Sequence, residues 1–332
     1  MAIGLAGCKL TERAVALSVA AGSGLVLDVA MAADRLVAVG EHGRVVFSDD
    51  RGGQWQRAST PVREVLTAVA FADERHGWAV GHGPVVLHTA DRGATWVEQS
   101  IASDKAEPLF DVVFRDARTG IAVGAFGQIW RTEDGGQRWE SVSLHEQGEG
   151  ELTEPMGVSG VPVADAHLYG IACFPQPGCA VLFAVGEGGV MLRSDDAGKR
   201  WQYVDSGTAV SFFGIVANAQ RLLAFGMFGR AIVSEDGGET WSEIETDTER
   251  SLFAGTWLPD GGAVLVGNDG VGRHYEPGGD RTAPLGYADR DTLTAFVPLG
   301  SDAALLAGDM GFVRMPLSFA VASRVSANQR SN

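Results

Sequence analysis

The stretch SDDRGGQW, residues 48–55, decides the fold because the chain repeats it four more times. The other copies are TADRGATW (89–96), TEDGGQRW (132–139), SDDAGKRW (194–201) and SEDGGETW (234–241). In every copy a Ser or Thr stands two residues before an Asp, glycine follows, and a Trp ends the phrase. Recurrence at an interval of about 40 residues indicates supersecondary units that stack on one another.

These phrases have the chemistry of tight turns. Asp, Ser and Thr side chains bond to nearby backbone groups, and glycine supplies the positive φ that closes a hairpin. The Trp then buries a large ring beside the turn. We therefore predict structural and not catalytic roles for Asp50, Trp55, Asp91, Trp96, Asp134, Trp139, Asp196, Trp201, Asp236 and Trp241.

A second phrase, VGxxG, precedes each of these turns and continues after the last one. Its leading glycines are Gly40, Gly81, Gly124, Gly186, Gly226, Gly267 and Gly308, spaced by 41, 43, 62, 40, 41 and 41 residues. Apolar runs such as LTAVAF (66–71) and LFDVVF (109–114) supply an inner strand before the phrase. Four short strands with turns fill a period of about 40 residues. The sequence predicts an all-β chain, a single seven-bladed β-propeller with four antiparallel strands per blade.

The whole chain, residues 1–332, forms one domain in this prediction. Either residues 11–20 or residues Leu317–Val325 supply the strand that closes the ring, and the long interval places an inserted loop at residues 142–165. The predicted blades span approximately 24–60, 64–101, 108–143, 166–206, 210–246, 250–282 and 290–325.

The chain carries 26 Lys and Arg against 42 Asp and Glu, a net charge of −16. This balance argues against nucleic acid and anionic membrane surfaces, and it leaves a basic or polar protein partner open. No residue set predicts a metal site or a cofactor. Cys173 and Cys179 flank FPQPG, and the sequence leaves a disulfide and two reduced thiols as equal alternatives.

The N-terminal region resembles a secretory signal in composition, with Ala30-Met31-Ala32 as the cleavage site. Residues 27–40 nevertheless align with residues 66–81 of the next repeat, so we assign them to the first blade. The longest uncharged stretch, residues 14–27, is too short to span a bilayer, and no direct membrane insertion is predicted. The compartment stays open: extracytoplasmic if the true start lies upstream, otherwise cytoplasmic.

Ligands of a propeller usually meet the face formed by the turns between second and third strands. The predicted partner-binding residues on this face are Glu41, His42, His82, Phe126, Glu187, Met227, Phe228, Asn268, Asp269, Asp309 and Met310. Aromatic, Met and acidic side chains together suit a protein or peptide surface. Phe110, Tyr169, Phe213 and Phe253 begin inner strands, where they either ring the channel mouth or pack between blades.

The repeated turn resembles the Asp-box, or bacterial neuraminidase repeat, of β-propellers. With VGxxG beside it in a single ring, the chain is similar to the photosystem II stability and assembly factor family, whose hallmark RT/RS-x-D-G-G-x-x-W survives best at residues 131–139 and 193–201. The resemblance implies a non-enzymatic scaffold or accessory protein that binds a protein partner in a membrane-associated complex. In non-photosynthetic bacteria it implies assemblies that include RND-type exporters.

The Asp-box also occurs in sialidases and other glycoside hydrolases, so a carbohydrate-active enzyme with a glycan ligand is the alternative function. Such hydrolysis needs two placed carboxylates or a Tyr nucleophile with an arginine cluster. The chain has four tyrosines and no F/Y-R-I-P phrase, which argues against a sialidase. A carboxylate pair across the channel would come from Glu41, Glu187, Asp269 and Asp309.

Overall fold

The computed structural model describes residues 15–16, 24–101, 107–144, 160, 162–287 and 289–317. Within these ranges the chain forms seven four-stranded antiparallel sheets and no α-helix. Inner strands of successive sheets lie side by side, and the first inner strand also contacts the last one, which closes a ring. The predicted seven-bladed β-propeller with four antiparallel strands per blade is confirmed.

The strands follow the sequence in simple order. The first half comprises β1 (Val15–Ala16), β2 (Val26–Ala32), β3 (Arg35–Gly40), β4 (Val45–Ser48), β5 (Gln56–Arg57), β6 (Leu66–Phe71), β7 (Gly77–Gly81), β8 (Val86–Thr89), β9 (Val97–Gln99), β10 (Leu109–Phe114), β11 (Gly120–Gly124), β12 (Ile129–Thr132), β13 (Glu140–Ser141) and β14 (Leu168–Phe174). The second half comprises β15 (Val181–Gly186), β16 (Met191–Ser194), β17 (Gln202–Tyr203), β18 (Phe212–Ala217), β19 (Leu222–Gly226), β20 (Ala231–Ser234), β21 (Ser242–Glu243), β22 (Leu252–Trp257), β23 (Ala263–Gly267), β24 (Gly272–Tyr275), β25 (Thr282–Pro284), β26 (Leu293–Pro298), β27 (Ala303–Gly308) and β28 (Gly311–Pro316).

Blade 1 consists of β2 to β5, and each further set of four strands forms one blade as far as blade 6. Blade 7 combines β26, β27 and β28 with β1 as its outermost strand, since Val15 and Ala16 pair with Arg314 and Val313. The ring-closing strand therefore falls inside residues 11–20. Residues 318–325 of the competing segment, and residues 145–159 and 161 of the predicted insertion, lie outside the described residues.

The hydrophobic core is divided among the blade boundaries. Each of the seven buried clusters joins side chains of two neighbouring blades, including one cluster between blades 7 and 1. At that last boundary the rings of Trp55 and Phe312 stack with centroids 3.7 Å apart. The Thr294 hydroxyl donates to the Val26 carbonyl at 2.7 Å across the same boundary. Blades are thus stabilised by their neighbours.

The leading glycine of VGxxG lies against a backbone carbonyl in every blade. In blade 4, a Cβ at Gly186 would lie 1.9 Å from the His167 carbonyl oxygen. The next residue, Glu187, donates its N–H to that same oxygen at 2.8 Å. The corresponding hypothetical Cβ-to-oxygen distances at Gly40, Gly81, Gly124, Gly226, Gly267 and Gly308 are 1.9 to 2.4 Å. Any side chain at these positions would push the inner strand away from the second strand.

The repeated Asp turns are closed by a shared set of hydrogen bonds. In blade 1, Ser48 Oγ donates to Asp50 Oδ1 at 2.8 Å and accepts the Gly52 N–H at 2.8 Å, while Asp50 Oδ1 accepts the Gln54 N–H at 2.8 Å. Glycine N–H groups bond to the Ser or Thr hydroxyl in the other four copies too. The Thr240 hydroxyl and N–H lower the pKa of Asp236 to about 2. These carboxylates therefore stabilise the turn by accepting local hydrogen bonds.

Arginines in the hallmark motif connect successive Asp turns. Arg131 Nε donates to the Ala197 carbonyl at 2.8 Å, and Arg193 Nη1 lies 2.6 Å from Glu239 Oε1. Each contact crosses one blade boundary. The motif arginine therefore acts as a brace between blades 3 and 4 and between blades 4 and 5.

A disulfide joins Cys173 and Cys179 at the turn between the first two strands of blade 4. Both residues are buried in the core between blades 3 and 4. The two cysteines are six residues apart in the sequence, and the bridge lies on the same face of the ring as the Asp turns.

Replacing the leading glycine of blade 4 tests the carbonyl contact. We expect Gly186→Ala to lower the free energy of unfolding by about 3 kcal/mol, because its Cβ overlaps a fixed carbonyl. Chemical denaturation with a comparison of midpoints measures this change. Gly286→Ala is the matched control, since a Cβ there meets nothing within 4 Å. Equal midpoints for the two variants would contradict the role assigned to Gly186.

Candidate functional site

The two faces of the ring carry different turns. The first residue of each inner strand pairs with the last residue of the second strand, as Leu109 does with Gly124. The start of the inner strand therefore lies beside the turn between second and third strands, and we call this side the loop face. The Asp turns follow the third strand and lie on the opposite face.

Every inner strand of the seven blades bulges at its second residue. The register shifts between the first and third residues in each of these strands, for example between Leu109 and Asp111. A bulge leaves one residue without a ladder partner and re-aims its side chain. The bulged residues are Leu27, Thr67, Phe110, Tyr169, Phe213, Phe253 and Thr294.

Four of the bulged residues form a continuous aromatic arc across blades 3 to 6. Ring centroids are 5.4 Å apart for Phe110 and Tyr169, 5.6 Å for Tyr169 and Phe213, and 5.4 Å for Phe213 and Phe253. All four side chains are half-buried. The arc lies at the loop-face end of the channel, and its ring contacts cross blade boundaries. The rings therefore both line the channel mouth and pack between blades.

His167 extends the arc toward the turn of blade 3. The Phe126 N–H donates to His167 Nδ1 at 3.0 Å, and the two rings meet edge to face with centroids 4.6 Å apart. A neutral imidazole that accepts at Nδ1 carries its proton on Nε2. His167 thereby fixes the backbone beneath an exposed phenylalanine.

Three large apolar side chains stand exposed on the turns of the loop face. Phe126 is 55% exposed, Phe228 is 66% exposed and Met310 is 69% exposed. Phe126 and Phe228 also adopt left-handed backbone conformations, with φ of 53° and 55°. Blade 4 has Gly188 at the same turn position. A phenylalanine there strains the backbone and exposes apolar surface, and neither effect stabilises the ring.

The acidic residues of the loop face contact their own blade. Glu41 accepts the Leu25 N–H at 3.3 Å, Glu187 accepts the His167 N–H at 3.3 Å, and Asp309 accepts the Thr292 N–H at 3.2 Å. Each donor directly precedes an inner strand. Asp269 forms an ion pair with Arg250 of the loop before blade 6. The four acids considered for a carboxylate pair thus anchor loop-face backbone or a loop arginine.

The structure places all eleven predicted partner-binding residues on the loop-face turns. Among those not yet described, His42, His82 and Asn268 are exposed and Met227 is half-buried. His42 Nδ1 lies 3.8 Å from Glu41 Oε2. Contact of these residues with a partner stays a prediction.

Sequence reasoning missed two carboxylates that follow the bulge in blades 1 and 3. Asp28 accepts N–H groups from Val29 and Val69, both bonds within 2.8 Å. Asp111 accepts those of Val112 and Ile171 at 2.7 and 2.9 Å. Each acid therefore joins its inner strand to the inner strand of the next blade. The available signal was an Asp-Val pair at the same register in two otherwise apolar strands.

Asp28 and Asp111 are half-buried residues of the inner strands, and their carboxylates accept N–H groups of the neighbouring blade. Burial raises the pKa of Asp28 to about 6. Burial raises the pKa of Asp111 to about 7, and the negative charge of Asp28 contributes to that shift. Backbone N–H donors oppose the rise in both cases. Two inner strands therefore hold carboxyl groups that titrate near neutral pH.

Fold, Asp turns and ring closure define the chain as an Asp-box β-propeller. The family model for the photosynthesis system II assembly factor YCF48 matches residues 47–172, from the third strand of blade 1 to the inner strand of blade 4. Over these residues the chain is similar to that family, and the solved structures below share its fold.

Two solved structures are similar over nearly the whole ring. YCF48 bound to D1 peptide matches with a TM-score of 0.67 and 17% identity, covering 88% of this chain and 91% of that chain. YCF48 from Cyanidioschyzon merolae matches with a TM-score of 0.69 and 15% identity, covering 90% of this chain and 97% of that chain. No curated protein matches the sequence. In the part of the chain described, no helix has the length and apolar character needed to cross a membrane.

The channel carboxyls make stability depend on pH. Because their pKa values are raised, Asp28 and Asp111 bind protons more tightly in the folded state than in the unfolded state. The resulting stabilisation is fully present below about pH 4 and is lost as pH rises through about 6 to 7. We expect Asp111→Asn to flatten the decline between pH 4 and 7, by up to about 1.4 kcal/mol per pH unit. Denaturant unfolding at pH 4, 5.5 and 7 measures it. Exposed Asp280→Asn is the control, and an Asp111→Asn slope equal to the wild-type slope would contradict the assignment.

Proposed function

We propose that this chain is a protein-binding propeller whose loop face holds a segment of a partner protein. The observation that carries the proposal is that three large apolar side chains, Phe126, Phe228 and Met310, are exposed on the face that holds the half-exposed aromatic arc. Aromatic and Met side chains on an accessible surface are enriched where proteins bind one another. Burial of these side chains against a partner would be favourable, because it removes exposed apolar area from water.

Backbone strain also indicates that the loop face is the binding surface. A β-carbon makes the left-handed region unfavourable, and a bulky side chain there is rare outside turns and functional sites. Gly188 shows that this turn accepts glycine. Phe126 and Phe228 therefore lower stability relative to Gly at those positions, and contact with a partner gives these rings a use.

The comparison with known proteins supports a peptide ligand in general terms. A propeller of similar fold has been solved as YCF48 bound to D1 peptide. Identity of 17% limits that similarity to the fold. We further propose, from the family resemblance, that the partner belongs to a membrane-associated complex, with RND-type exporters as the candidate class in a non-photosynthetic bacterium.

We also propose an extracytoplasmic location. The buried disulfide between Cys173 and Cys179 supports this, because disulfides persist mainly in oxidising compartments. A reducing cytoplasm would favour two thiols at these positions.

Site-specific photocrosslinking in native cells tests the binding face. Benzoylphenylalanine at Phe126 should give a discrete adduct in the membrane fraction, whereas the same group at exposed Gln137 on the opposite face should not. Adding Phe228→Asn should weaken the Phe126 adduct about tenfold or more, since one large apolar contact is lost. Asn tolerates the left-handed backbone, so stability should not fall. Equal adducts from positions 126 and 137, or an adduct indifferent to Phe228→Asn, would contradict the proposal.

Differential alkylation tests the compartment. Native cells are quenched with acid and alkylated in denaturant, then reduced and labelled with a second reagent before mass spectrometry. We expect Cys173 and Cys179 to carry the second label, because the disulfide blocks the first. A sample reduced before the first alkylation is the control. The first label on both cysteines would contradict an oxidising compartment.

A further inference from the structure

We propose that the bound segment carries a lysine or arginine that enters the channel, with its alkyl stem on the aromatic arc and its cationic head beside Asp28 and Asp111. This inference rests on the proposed function, since it specifies the chemistry of the segment on the loop face. It commits that face to a partner with a basic side chain next to apolar ones.

The order of residues along the inner strands sets the depth of each group. The loop-face turns lie at the surface, the bulged residues follow at the start of each inner strand, and the carboxylates come one residue later. Asp111 directly follows Phe110 of the arc, and Asp28 directly follows the bulged Leu27. A side chain that enters from the loop face therefore passes the aromatic arc before it reaches the acids.

The level that holds the acids is otherwise built from small residues. The same inner-strand position in the other five blades is occupied by Ala68, Gly170, Gly214, Ala254 and Ala295. None of these carries a charge or a group larger than methyl. Asp28 and Asp111 are therefore the charged residues at this inner-strand position within the described blades.

The two acids lack a basic counterpart within the described part of the ring. No Lys, Arg or His of these residues forms an ion pair with Asp28 or Asp111. Each carboxylate accepts two backbone N–H groups and has capacity for more donors. Charges removed from bulk water are normally paired. An incoming ammonium or guanidinium group supplies the missing partner.

The arc suits the remainder of such a side chain. Lysine and arginine place three or four methylene groups behind the charge, and these stems pack on apolar surface. Aromatic faces also attract the cation itself. The net charge of −16 favours approach of a basic segment over an acidic one.

Selection of random dodecapeptides displayed on phage provides the probe. The full chain is the target, and the Phe228→Asn variant removes peptides that do not use the loop face. We expect the enriched peptides to contain Lys or Arg beside an aromatic or aliphatic residue. Synthetic versions are then measured at pH 8 by fluorescence anisotropy.

Replacing the enriched Lys by norleucine, which keeps the stem and removes the charge, should weaken binding at least about tenfold. Asp111→Asn and Asp28→Asn should weaken the parent peptide to a similar extent. The norleucine peptide should bind wild type and Asp111→Asn equally, which separates loss of the ion pair from damage to the fold. Asp280→Asn, on the opposite face, is the matched control and should change nothing.

Two results would overturn the inference. Peptides that depend on Phe228 but bind equally well with norleucine would refute the basic side chain and leave the loop-face function standing. Failure to select any peptide whose binding depends on Phe228 would overturn the inference together with the proposed function.

Discussion

The ring depends on the contact between a backbone carbonyl and the leading glycine of each VGxxG phrase. At Gly186 this contact brings the His167 carbonyl so close that only a hydrogen fits on the glycine Cα. The same carbonyl accepts the N–H of Glu187, so one oxygen fixes both the inner strand and the turn that follows the second strand. Because the contact recurs in all seven blades, it sets the position from which each loop-face side chain projects.

The two faces of the ring use their side chains in opposite ways. On one face, acids such as Asp50 and Asp236 are saturated by local donors, and arginines such as Arg131 connect one turn to the next. On the other face, Phe126 and Phe228 occupy strained and exposed positions that do not help the ring to fold. The blade boundaries and the Asp turns thus stabilise the propeller, whereas the exposed rings of Phe126 and Phe228 do not.

Much of the fold could be predicted because a repeated glycine and a repeated Asp turn report backbone geometry directly. The positions of the eleven predicted residues on the loop face followed from the seven VGxxG repeats. The channel acids did not, because an isolated Asp28 or Asp111 in an apolar strand carries no periodic signal. The bulge that re-aims Phe110 depends on strand register, which composition does not reveal. Sequence also left the choice between disulfide and thiols at Cys173 open, because three cysteines provide little constraint.

The aromatic arc spans blades 3 to 6, while Thr294, Leu27 and Thr67 occupy the same bulge in blades 7, 1 and 2. A ring of seven similar blades would otherwise offer a ligand seven equivalent rotational orientations about the central axis. The uneven distribution of aromatic rings removes that degeneracy and leaves one angular setting in which an apolar segment meets them all. A nearly symmetric scaffold thereby binds its ligand in one defined orientation about the central axis.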